Sequence, residues 1–98
     1  MSPESEAATV ASAAIPAQEI ARFVVERFLP GVAAEELEAE YDLLTTGVID
    51  SLGVLHVVAW LRREHGVQLA ESAVNIRNFR SVAAIQRTAA DASAGDPA

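Results

Sequence analysis

The chain has no cysteine among its 98 residues, so neither a disulfide framework nor a thiolate metal cluster can hold its fold together. It must stand on packing alone, in a single domain. A domain this small buries only about 60–65% of the surface its unfolded chain exposes, which leaves little room for an enclosed catalytic pocket and favours a binding or carrier module over an enzyme. Hydrophobic residues make up 51% of the chain and aromatics only 5%, because alanine supplies much of the apolar content. That balance suits helix packing rather than a sheet, and an all-α fold is expected.

The hydrophobic periodicity divides the chain into helices. Residues 1–14 and 91–98 carry almost nothing large to bury and are expected to be disordered tails around a folded domain at 15–90. A first helix is expected from about Pro16 to the Pro30-Gly31 breaker, with Ile20, Phe23, Val24 and Phe28 on its apolar stripe and Gln18, Glu19, Arg22 and Glu26 on its wet side. A second runs from Ser51 to about Glu64, with Asp50 as N-cap and Gly66 as stop. Val54, Val57, Val58 and Leu61 form its core face, with His65 just beyond. Leu52, Leu55 and Ala59 form another apolar stripe, toward the side carrying His56 and Arg63, which a surface helix does not need and which points to a docking surface. A short helical turn is expected between Glu71 and Asn75, and Phe79 is a candidate core plug. The last helix follows Ser81 as N-cap, with Val82, Ile85 and Ala89 buried. The expected architecture is a four-helix bundle, three major helices plus one short helix, resting chiefly on Phe23, Phe28, Val57 and Leu61.

Pro30 to Asp50 is a long connection, and such segments tend to carry function or a short element of their own. Ala33 to Glu40 has the makings of a helical turn, and the acidic cluster Glu35, Glu36, Glu38, Glu40 and Asp42 reads as a solvated face. Leu43, Leu44, Val48 and Ile49 are placed to pin the loop to the bundle, with Gly47 permitting a positive-φ turn. The loop delivers Ser51 to the mouth of a helix. Free N–H groups of a first turn, together with the positive helix end, stabilise a phosphodiester on such a serine, while Asp50 caps the helix and leaves the hydroxyl reachable.

Other chemistries fit poorly. The net charge of −7 disfavours nucleic acid and anionic membrane surfaces and favours protein partners with basic patches. The first residues lack a basic stretch leading into an apolar run, and nothing approaches the ~20 apolar residues of a membrane span, so a cytoplasmic location is expected; the chain is also expected to be a monomer. Ile49-Asp50-Ser51-Leu52-Gly53 lacks the first glycine of the hydrolase elbow Gly-x-Ser-x-Gly, and His56 lies 140° round the helix from Ser51, so the two form no local dyad. His56 and His65 stand nine residues apart with no cysteine and no shared helical face, which disfavours zinc. Trp60 at the flank of the core stripe reads as packing. Arg62 and Arg63 near a helix C-terminus are explained by dipole complementarity of ~0.3–1 kcal/mol each, with docking as a second role.

The stretch Asp42-Leu43-Leu44-Thr45-Thr46-Gly47-Val48-Ile49-Asp50-Ser51-Leu52-Gly53-Val54-Leu55 resembles the acyl carrier protein family, which carries an Asp-Ser-Leu motif at the start of its second helix. The likeness extends from about Ile20 to Ile85, through the helix ending in Gly66-Val67 and the segment Asn78-Phe79-Arg80-Ser81-Val82-Ala83-Ala84-Ile85. It implies that a phosphopantetheinyl transferase moves 4′-phosphopantetheine from coenzyme A to Ser51, between Asp50 and Leu52, and that loading enzymes and downstream acyl-processing enzymes act on cargo held as a thioester. The arm's own thiol explains how a chain without cysteine can serve. Gly53, His56, Arg62 and Arg63 against a single Glu64 depart from the acidic second helix of fatty-acid carriers. They look more like free-standing carriers of specialised pathways, with an aminoacyl, peptidyl or D-alanyl carrier as the nearest alternative. An unmodified helical interaction module is the alternative of another class.

Overall fold

The computed structural model describes residues 15–94, so the expected tail at 1–14 and the last four residues lie outside the described part. Three α-helices are present there, joined by 3₁₀ turns, with no strand among the described residues. Helix α1 spans Ala17–Phe28, α2 Ser51–His65 and α3 Val82–Ala94. The all-α bundle expected from composition is the fold. Its short element consists of two 3₁₀ turns, Glu71–Ala73 and Ile76–Phe79, and a further turn, Ala34–Glu36, lies in the long loop.

The helix limits follow from local chemistry. Pro16 stands at the N-cap of α1 in an extended conformation, and its carbonyl accepts from the N–H groups of Glu19 and Ile20. Gly66 closes α2 in the left-handed region at φ 67°, and the paired bonds from Gly66 N–H to Arg62 O and from Val67 N–H to Leu61 O satisfy the last carbonyls. Ser81 caps α3 by accepting from the Ala84 N–H at 3.1 Å. This helix spans Val82–Ala94, past residue 90. Asp91-Ala92-Ser93-Ala94 contains no breaker, and alanine continues a helix readily.

The core is built from Ile20 and Val24 of α1, Val57 and Leu61 of α2, Val82 and Ile85 of α3, and Leu43, Ile49 and Phe79 from the connections, all essentially inaccessible. Phe79 plugs the core as expected. Phe23 and Phe28 do not belong to it: they are half-buried and pack against its edge. Phe23 lies on the flank of α1 that faces α2, where it stacks on Trp60 with centroids 4.5 Å apart, and Phe28 sits at the helix end, edge-on to Phe23 at 6.3 Å. The buried face of α2 is also rotated from the expected one, by roughly half a residue step. Gly53 and Trp60 join Val54, Val57 and Leu61, while Val58 is only half-buried.

Truncating Leu61 to Ala is expected to lower the unfolding free energy by ~2–5 kcal/mol, whereas the same change at Leu55 should stay within about 0.5 kcal/mol. Urea denaturation followed by circular dichroism measures both. An unchanged midpoint for Leu61→Ala would contradict the assigned register of α2.

Candidate functional site

The long loop is held at its middle by main-chain bonds. Leu43 N–H donates to Arg80 O at 2.7 Å, Ala83 N–H donates to Ala39 O at 2.8 Å, and Ile49 N–H donates to Leu43 O at 2.9 Å. Leu43 and Ile49 are both buried, so the turn between them is pinned on apolar side chains as well as by hydrogen bonds. Gly47 closes that turn at φ 81°, a conformation an L side chain rarely adopts.

Asp42 departs from the solvated acidic face expected of it. It is half-buried, and its Oδ1 accepts from the N–H groups of Leu44 (3.0 Å) and Thr45 (3.1 Å), while Oδ2 lies 3.5 Å from the Arg80 guanidinium. The Thr45 hydroxyl, the Thr45 and Leu44 amides and the Arg80 charge all favour the ionised form, and the carboxyl is lowered from 3.8 to about 2. The sequence signal for this role was available: an Asp followed by two residues whose amides it can cap. The remaining acidic residues, Glu35, Glu36, Glu38 and Glu40, are exposed.

Two residues beyond Ile49, the chain enters α2. Asp50 is extended, and its carboxylate accepts from Gly53 N–H at 2.8 Å, as an N-cap. Its carbonyl accepts from Val54 N–H at 2.9 Å. The amides of Ser51 and Leu52 stand before the first intrahelical bond and keep no acceptor within the helix. Ser51 is exposed, and so is Leu52 at 61%. A Cβ on Gly53 would lie 3.1 Å from Ile49 Cγ2 and 3.3 Å from the Phe28 ring. The absence of a side chain there lets the first turn of α2 seat against the end of α1.

An open hydroxyl, two uncommitted amides and the positive helix end make a donor set suited to a phosphodiester. The neighbouring Asp50 carboxylate is engaged as the cap. His56 faces away from Ser51, toward α1, where it stacks on Phe28 and its Nδ1 accepts a long bond from Arg27 Nε at 3.4 Å. His65 sits at the other end of α2, edge-on to Trp60 at 4.9 Å, with Nε2 3.3 Å from Glu19 Oε2 but without a hydrogen bond between them. The two histidines therefore have separate structural settings.

The second apolar stripe of α2 is partly present. Leu55 is exposed at 54%, in line with Leu52, while Ala59 is half-buried. Arg62 and Arg63 are exposed in the last turn, with Arg63 3.6 Å from Glu64. Sequence reasoning missed Ile76, exposed at 48% in the 3₁₀ turn before Phe79. No helix among the described residues is long and apolar enough to cross a membrane.

A small helical bundle that presents an exposed serine at a capped helix mouth has the architecture of a carrier. A family model for the phosphopantetheine attachment site matches residues 25–85, more than half of the 98-residue chain, and the chain belongs to that family of acyl-carrier-type domains. Its members hold 4′-phosphopantetheine covalently and work with a phosphopantetheinyl transferase and acyl-processing enzymes; such domains are generally non-catalytic. A comparison with curated proteins gives no match.

Because the folded-state pKa of Asp42 is depressed, its contribution to stability is fully present above about pH 4 and is lost as pH falls through about 2. Asp42→Asn should lower stability near neutral pH and flatten the stability profile between these limits. Urea midpoints measured across that range for parent and variant check this, and superimposable profiles would contradict it.

Proposed function

We propose that Ser51 carries the 4′-phosphopantetheine arm and that the chain ferries acyl groups as thioesters in a specialised biosynthetic pathway, without catalysing a step itself. The observation that carries the reading is the exposed Ser51 at the first position of α2, inside the family match. The chain's own part is to hold that hydroxyl where a transferase can reach it. Asp50 fixes the start of the helix, the Ser51 and Leu52 amides would be available to donate to a phosphodiester on Ser51, and Gly53 sets the turn against Phe28. Bound there, the arm supplies the thiol that this cysteine-free chain lacks.

Leu52, Leu55 and Ala59 are the proposed apolar contacts for enzymes that approach the arm. A second helix with one acidic residue, Glu64, against Arg62 and Arg63 supports a cognate partner unlike those of acidic carriers, and keeps the aminoacyl carrier as the alternative cargo class. The proposed location is cytoplasmic and the proposed state monomeric.

Incubation with coenzyme A, magnesium and a broad-specificity phosphopantetheinyl transferase should add one arm per chain, read by intact mass, and Ser51→Ala should abolish the gain. An arm mapped to Ser2, Ser5 or Ser81 in that variant would overturn the site, and a parent chain left unmodified would favour an unmodified interaction module. Arg62→Glu with Arg63→Glu should fold and accept the arm, yet be loaded more slowly by the cognate loading enzyme at low salt. The gap should close as salt shortens the screening length to ~10 Å at 0.1 M. Equal loading rates at low salt would confine the two arginines to helix stability.

A further inference from the structure

A cleft of about 380 Å³ opens between the long loop and the start of α3, lined by Glu40, Asp42, Arg77, Arg80, Ser81 and Arg87. It belongs to the same end of the bundle as Ser51. Leu43 joins the two places, since its N–H donates to Arg80 O and its carbonyl accepts from Ile49 N–H, two residues before Ser51. Three of the seven arginines of a chain with net charge −7 meet in this cleft.

The three are not equivalent. Arg80 is 3.5 Å from Asp42 and is thereby half-committed to the loop. Arg77 and Arg87 are exposed and take part in no ion pair among the described residues. Residues 80, 84 and 87 follow one another at helical neighbour spacing, and Ala84 between the arginines leaves the cleft open. Guanidinium groups match carboxylates two bonds at a time, which makes a pair of unengaged arginines a carboxylate receptor.

The rest of the wall selects among anions. Glu40 and Asp42 would repel a compact phosphate, whereas an extended polypeptide can set its carboxylates on the outer arginines and turn N–H or cationic groups to the acidic side. Ala84 is the single apolar residue of a lining otherwise made of charged side chains and Ser81, a poor match for a small hydrophobic ligand. Arg62 and Arg63 lie eleven and twelve residues along α2 from Ser51, roughly 17–18 Å along the axis, at the far end of the helix from that mouth.

We propose that the Arg77/Arg80/Arg87 cleft docks a carboxylate-bearing segment of a partner protein that works at the Ser51 end of the bundle. The choice of that partner class rests on the carrier reading above, while the charge chemistry of the cleft does not.

The test is a titration of isotope-labelled full-length chain with an oligoglutamate peptide, followed by amide and arginine Nε–H chemical shifts, with oligolysine and inorganic phosphate at matched ionic strength as controls. Saturable shifts are expected at residues 76–88 with oligoglutamate alone. Affinity should fall about ten-fold or more in Arg77→Ala with Arg87→Ala, and in part in the single variant Arg87→Gln, since each removes a charge-assisted contact from an exposed position. Equal binding by these variants, binding that depends instead on Arg62 and Arg63, or the same saturable shifts with phosphate would each overturn the proposal. So would binding seen only after deletion of residues 1–14, which would make the acidic segment around Glu4 and Glu6 the occupant. Arm attachment to the parent chain is scored separately by mass. Its failure would sink the carrier reading and leave the titration result standing.

Discussion

The position of Ser51 depends on a loop staple as well as on α2 itself. Leu43 and Ile49 are both buried, and the bonds from Leu43 N–H to Arg80 O and from Ile49 N–H to Leu43 O tie them to each other and to the segment before α3. The chain therefore arrives at Asp50 in a fixed direction, and the N-cap bond to Gly53 can form where the bundle needs the helix to start. Without that staple, a connection of about twenty residues would leave the helix mouth free to wander.

The second helix then serves two masters along one length. Its inner face, from Gly53 and Val54 through Val57 to Trp60 and Leu61, closes the core and packs against Phe23 and Phe28. Its outer face leaves Leu52 and Leu55 uncovered directly beside Ser51. The close seat at Gly53 links the two: because no side chain intervenes, the first turn lies flat on α1, and the hydroxyl and the exposed leucines are presented together on the opposite side.

Charge is distributed unevenly over this scaffold. A chain of net charge −7 keeps Glu35, Glu36, Glu38 and Glu40 exposed on the loop, uses Asp42 as an internal clasp, and gathers cationic groups at the end of α2 and around the start of α3. Association between proteins is steered by such local fields rather than by net charge, so an acidic protein of this kind can still receive acidic partners at chosen places.

Residue spacing by itself determined the helices, their caps and stops, the buried Phe79, Leu43 and Ile49, and the place of Ser51 at a helix mouth, because each of these is a local matter of periodicity, breaker residues and side-chain to backbone bonding. Packing decided the rest. Whether Phe23 and Phe28 fill the core or its rim depends on where α2 lies against α1, and the rotation of the α2 face toward Gly53 and Trp60 depends on the same contact. Both are set by interhelical fit, to which a one-dimensional pattern is blind. The helical turn at 91–94 was not legible because composition alone cannot distinguish a small-residue tail from an alanine-rich helix that has a surface to continue along. The arginine cleft belongs wholly to tertiary structure: Glu40 and Asp42 stand some forty residues from Arg80 in sequence, and only the loop's attachment to the start of α3 brings them onto one surface.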